Sequence, residues 1–167
     1  HYFAVDAAKV TLLPQDMGHD EGAMIEPLAV AVHAVKQAGD VAGARIAVLG
    51  AGPIGILVAQ AAKGLGARQV MITDVSALRL EKAKECGVDF CVDTREKDFG
   101  EAMTESFGPD KADLIYDCAG NNITMGQAVR YARKGSTIIL VAVFAGLGQI
   151  DLAVLNDHEL DLKTSMM

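Results

Sequence analysis

The chain has 167 residues, of which 51% are hydrophobic and 22% charged, and a formal net charge of −7. That length supports one domain with a sizeable core, and the acidic balance argues against a general nucleic-acid or anionic-membrane surface. Phosphate ligands stay open, because backbone amides hold them without basic side chains. No apolar run reaches the roughly 18 residues of a membrane span, and the first residues do not read as a signal peptide. Cys86, Cys91 and Cys118 lack metal-ligand spacing. They read as reduced thiols of a cytoplasmic protein, two of them buried in strands. A start at His1 and an end after Ser165-Met166-Met167 read as a piece of a longer protein.

Residues 1–13 read as an extended strand that stops at Pro14, and residues 20–38 as one long helix. Gly39, Asp40 and Gly43 then lead into an apolar strand at 45–50, RIAVLG, whose continuous hydrophobicity suits burial on both faces. A helix is predicted over 53–63, with Pro53 in its first turn and Gly64 and Gly66 at its end. The alternation continues with a strand at 69–73, a helix at 76–86 capped by Ser76 and stopped by Gly87, and a strand at 88–92. A helix at 98–106, a strand at 113–118, a helix at 122–133 and strands at 137–143 and 160–166 complete it. Between those last two strands, Gln149-Ile150-Asp151-Leu152 alternates polar and apolar, the pattern of a short half-exposed edge strand. The expected architecture is α/β: a doubly wound, six-stranded parallel Rossmann sheet with helices on both faces.

The chemistry sits in Gly50-Ala51-Gly52-Pro53-Ile54-Gly55, which fits G-x-G-x-x-G between a strand and a helix. Gly50 permits the tight turn, Gly52 leaves room for a pyrophosphate, and Gly55 lets the helix pack on the sheet. The helix-start amides then face the phosphates, aided by the helix dipole. Asp74 ends the second strand of this unit, about 20 residues on, where a carboxylate accepts from the adenosine ribose hydroxyls and repels a 2′-phosphate. The expected cofactor is therefore NAD. A plainer role for Asp74, as cap of the next helix, stays open.

The stretches AMIEPLAVAVHAV, VLGAGPIGILVAQAAKGLGA and ITDVSALRLEKAKECG resemble the medium-chain dehydrogenase/reductase superfamily, and within it the zinc-dependent sorbitol (polyol) dehydrogenases. The resemblance implies hydride transfer from a secondary alcohol to NAD. It implies that residues 1–18 are the tail of a catalytic domain and the crossover from it, with the Rossmann domain at 19–167. Arg79 matches a basic residue along the adenosine ribose. Val141, Ala142 and Val143 match a strand end whose backbone meets the nicotinamide carboxamide, and Ser165, Met166 and Met167 the last strand, which closes on the ring. Glu26 matches a carboxylate at the catalytic zinc, holding or flanking the metal-bound water. The remaining zinc ligands would lie in the catalytic domain, so zinc belongs to the intact enzyme and the chain alone binds NAD without completing catalysis. Met167 stands where sorbitol dehydrogenases carry a substrate-binding arginine, which makes sorbitol itself a doubtful substrate. The family's pairing of the 149–152 segment with its two-fold mate implies a homodimer or homotetramer.

Three other readings compete. A stand-alone NAD(H)-binding or redox-sensing module would share the loop without needing the 20–38 helix. A methyltransferase is disfavoured by the tight glycine spacing. Short-chain dehydrogenases are disfavoured because neither Tyr116 nor Tyr131 is followed at the fourth position by lysine.

Overall fold

The structure, a computed structural model, describes residues 2–166. Six strands form one parallel sheet: β1 (Arg45–Leu49), β2 (Gln69–Asp74), β3 (Phe90–Asp93), β4 (Leu114–Asp117), β5 (Thr137–Leu140) and β6 (Asp161–Thr164). Their spatial order is β3-β2-β1-β4-β5-β6. The sheet is wound outward in both directions from β1, so its order reverses between β1 and β4. Five of the helices are α1 (His19–Lys36), α2 (Pro53–Gly64), α3 (Ala77–Glu85), α4 (Phe99–Phe107) and α5 (Asn122–Tyr131).

Alternation along each strand sends side chains to two separate cores. Ile46, Val48, Val70, Ile72 and Tyr116 pack under α1, α2 and α3. Ala47, Leu49, Met71, Ile115 and Ile138 pack under α4 and α5. Central β1 is apolar throughout its buried length because helices cover both faces. Edge strand β6 reads Asp-Leu-Lys-Thr and is exposed at every position. Buried Tyr116 donates its hydroxyl to the Val35 carbonyl at 3.1 Å, which ties α1 to the sheet.

The structure corrects four details. Residues 2–13 form no strand; their only regular structure is a single 3-10 turn at Ala7–Lys9, where Asp6 accepts from Ala8 N–H. They are exposed and no strand among the described residues pairs with them, so the expected strand finds no ladder. Leu152 is not in a strand but opens a sixth helix, α6 (Leu152–Asp157), capped by Asp151 Oδ1 accepting from Ala153 and Val154 N–H. Residues 149–151 have no ladder partner among the described residues. Strand β5 ends at Leu140, since Val141 and Ala142 both turn their N–H groups to the Asp117 carbonyl. Of the three cysteines only Cys91 lies in a strand, and all three are half-buried.

Candidate cofactor-binding crevice

The crevice opens at the carboxyl ends of the strands, where β1, β4 and β5 deliver their loops to one place. Gly50 leaves β1 at φ 98, a left-handed conformation that a side chain would strain. Gly55 lies under it: a Cβ added there would stand 1.9 Å from the Gly50 carbonyl oxygen. Helix α2 therefore packs on the loop only because position 55 has no side chain. Gly52 is different. A Cβ there would meet nothing within 4 Å, so the empty space above it is open to a ligand. No side chain caps α2, and Pro53 occupies its first turn; the Ile56 N–H already donates to the Gly52 carbonyl at 3.0 Å, which leaves the amides of Ile54 and Gly55 for a ligand.

Asp74 is buried at the end of β2. Its Oδ2 accepts from Ala51 N–H at 2.8 Å, and its Oδ1 accepts from Val75 and Ser76 N–H at 2.8 and 2.9 Å. The carboxylate thus fastens the glycine loop to β2 and also satisfies the start of the α3 segment, while Ser76 makes no side-chain cap. Arg79 of α3 stands over it, Nη1 to Oδ2 3.6 Å, with 59% of its side chain exposed. Gly50, Gly52, Asp74, Arg79, Ala119 and Asn121 line one cleft of about 300 Å³.

A second cleft, of about 390 Å³, continues beyond Cys118, which lines both. Its walls are Ile54, Val141, Ala142, Val143, Ser165 and Met166, with Glu26 and Val30 of α1 at its margin. Ser165 is buried, its N–H donating to the Leu140 carbonyl at 2.9 Å, so the chain beyond β6 is held against β5. Met166 is 70% exposed. Met167 lies outside the described residues. All the other sequence-predicted positions fall on these two adjoining clefts except Gly55, which acts from beneath the loop, and Pro53, whose ring turns away into a neighbouring apolar groove with Leu78.

Glu26 is exposed. Among the described residues no group of three or more His, Cys, Asp or Glu could hold a metal ion. His33, seven positions on, faces elsewhere: its Nε2 lies 3.0 Å from Gln37 Nε2. A catalytic zinc takes about three protein ligands, so these residues alone do not fit a zinc site.

The turn Cys118-Ala119-Gly120-Asn121 carries no sequence motif, yet Cys118, Ala119 and Asn121 line the first cleft and Cys118 the second as well. Burial and the neighbouring Asp117 carboxylate push the Cys118 thiol well above its ordinary range, so it stays a neutral, small wall residue.

An all-parallel doubly wound sheet with a glycine loop, a buried acid at the end of β2 and a two-part crevice defines a dinucleotide-binding domain of the Rossmann type. Residues 53–167 match the family described as zinc-binding dehydrogenase, and the chain belongs to that family. Sheep sorbitol dehydrogenase is 36% identical over 153 residues, covering 90% of this chain and 43% of the sheep protein. The chain thus spans less than half the length of the curated relatives it matches. Among solved structures, a Sinorhizobium meliloti protein described as a zinc-binding dehydrogenase and bound to NADP superimposes with a TM-score of 0.84 at 31% identity, over 92% of this chain and 46% of that one. An Escherichia coli alcohol dehydrogenase complexed with NADH gives a TM-score of 0.87 at 28% identity, over 96% and 48%.

Proposed function

We propose that this chain is the NAD-binding unit of a dehydrogenase that oxidises a secondary alcohol, a polyol or sugar derivative, by hydride transfer to NAD. The observation that carries the cofactor choice is the buried Asp74 carboxylate at the adenosine end. Ribose hydroxyls donate to it, whereas a 2′-phosphate beside it is repelled. Arg79 lies along the same edge and supports the ribose, and its 3.6 Å approach to Asp74 keeps it from acting as a free phosphate ligand.

In this reading the pyrophosphate lies over Gly50 and Gly52 on the α2 amides of Ile54 and Gly55. The nicotinamide lies between Val141–Val143 and Ser165–Met166, with Ile54 beneath. Glu26 stands at the margin of that cleft, where a carboxylate can accept a hydrogen bond from a metal-bound water or from the alcohol itself. The alcohol substrate class rests on the likeness to sorbitol dehydrogenase. A cytoplasmic location is supported by three unpaired thiols. A homodimer or homotetramer is supported by residues 149–151, which no strand among the described residues pairs. Separate titrations with NADH and NADPH test the central claim. Tighter binding of NADH is expected, and equal or tighter binding of NADPH overturns it.

A further inference from the structure

Asp117, the last residue of β4, is fully buried, and the cofactor contacts assigned above do not use it. Its two carboxylate oxygens are employed unequally. Oδ1 accepts from the Ala119 N–H at 3.0 Å, the Gly120 N–H at 3.2 Å and the Thr124 hydroxyl at 3.1 Å. Oδ2 is buried with no donor among the described residues. Burial pushes the carboxyl's pKa up, against the pull of those three bonds. An unpartnered buried oxygen is costly to keep, so the geometry around Oδ1 must matter.

The main chain of the same residue does related work. The Asp117 carbonyl accepts from both Val141 and Ala142 N–H, at 2.9 and 3.0 Å. One residue therefore ties down the β4–α5 turn through its side chain and the exit of β5 through its backbone. The turn is also wedged on both sides. A Cβ on Gly50 would meet Ala119 N at 3.1 Å and Cys118 C at 3.2 Å. Gly120, at φ 69, has the Ala142 Cβ only 2.7 Å from where its own Cβ would be. The turn fills the gap between the glycine loop and the floor of the second cleft, and its position sets their separation.

We propose that Asp117 is a positioning residue that presets the Cys118–Gly120 turn as a spacer between the pyrophosphate loop and the nicotinamide end of the crevice. This rests on the cofactor reading above. A preset spacer spares the binding energy that ordering the turn would otherwise consume. The requirement is an acceptor at the Oδ1 position; negative charge at Oδ2, which meets no donor, is dispensable.

Two variants and one measurement on the unaltered protein test this. Asp117→Asn keeps an acceptor where Oδ1 stands, and its dissociation constant for NADH is expected within roughly threefold of wild type. Asp117→Ala leaves the Ala119 and Gly120 amides without their acceptor and the Thr124 hydroxyl with only the Asn121 carbonyl, and NADH binding by the folded variant is expected to weaken by about tenfold or more. Equal binding by Asp117→Ala overturns the proposal, and so does an Asp117→Asn variant as weak as Asp117→Ala, since a generally damaged core would not discriminate in favour of Asn. Should Asp117→Ala not fold, amide hydrogen exchange on wild type decides. Slow exchange at Ala119 and Gly120 before NADH is added supports a preset turn, and exchange that becomes slow only with NADH overturns it. Failure of wild type itself to bind NADH overturns the cofactor reading and this inference with it, and is recognisable because no variant is involved.

Discussion

Gly52 and Gly55 lie three residues apart, one at the cap of α2 and one in its first turn, and replacing each with alanine should damage the protein in opposite ways. At Gly55 the new Cβ would stand 1.9 Å from the Gly50 oxygen and 3.0 Å from the Gly50 carbon, against the roughly 3.5–4.0 Å at which non-bonded carbons rest. The obstacle is backbone, held at a positive φ, so no side chain can swing aside. Either α2 slides away from the sheet or the loop shifts. Overpacking of this kind costs about 1–3 kcal/mol, and a chain of this size loses roughly 2–4 °C of Tm per kcal/mol. Gly55→Ala should therefore melt about 2–12 °C below wild type and bind NADH poorly, because the loop has moved. At Gly52 the backbone lies at φ −69 and ψ 177, which alanine adopts freely, and the Cβ meets nothing within 4 Å. Replacing a capping glycine by alanine costs roughly 0.5–1 kcal/mol, and the smaller entropy of the unfolded chain offsets it by about 0.4–1 kcal/mol. Stability should stay within roughly 1 kcal/mol of wild type by that arithmetic. The methyl group nonetheless occupies the space the pyrophosphate must enter, and the NADH dissociation constant should rise by about tenfold or more, some 1.4 kcal/mol. Circular-dichroism melts and NADH fluorescence titrations read both quantities, and the chain has no tryptophan to interfere. A Gly52→Ala variant that binds NADH like wild type would refute the assignment of that space. A Gly55→Ala variant with unchanged melting would refute the packing argument.

Further expectations attach to particular side chains. Asp74→Ala removes the ribose acceptor and the charge that repels a 2′-phosphate, so NADH should weaken while NADPH does not, and the ratio of the two dissociation constants should fall towards one in paired titrations. Asp113 is pushed up by partial burial, but bonds from the Arg45 amide and guanidinium, with Arg133 nearby, outweigh this and hold its carboxyl below the usual range. A carboxyl lowered in the folded state stabilises above the unfolded value near pH ~4 and loses that contribution as pH falls through the folded value. The Tm gap between wild type and Asp113→Asn should be full at pH 7 and close progressively below about pH 4; a gap constant with pH would contradict the assigned shift. Ile150→Pro should shift any dimer towards monomer in sedimentation at a fixed concentration, by removing an amide from the 149–151 edge, and an unaltered distribution would exclude that edge from the contact.

How much was legible in advance follows from where the determining contacts lie along the chain. The glycine loop and Asp74 are local signals: each glycine is read from its distance to the strand before it and the helix after it, and Asp74 from its distance to the glycines. Both landed in one cleft for that reason. The strand expected at 1–13 does not form over the described residues 2–13, because an extended apolar-rich stretch states only that a strand could form; the ladder must come from a neighbour, and none of the six described strands pairs with it. At 149–152 a four-residue alternation met a stronger local signal that went unread. Asp151 followed by Leu-Ala-Val-Leu is a cap and a first helical turn, and the hydrogen bonds to Ala153 and Val154 show which reading prevails.

The β4–α5 turn is the instructive omission. Asp117, Ala119 and Gly120 carry no motif, and their meaning arises only when β4 is placed beside β1 and β5 beside β4. The strand order was nevertheless implied by the alternation of elements, and a doubly wound sheet puts its crevice where that order reverses. The residue just after the strand across that reversal must then face the glycine loop. A buried acid at the end of that strand, followed two and three residues on by small residues and after seven by a threonine, is the pattern a carboxylate-held turn requires. Topology, once inferred, can thus be used a second time to search for site residues that no linear motif contains. Here that search leads from Gly50 across the sheet to Asp117.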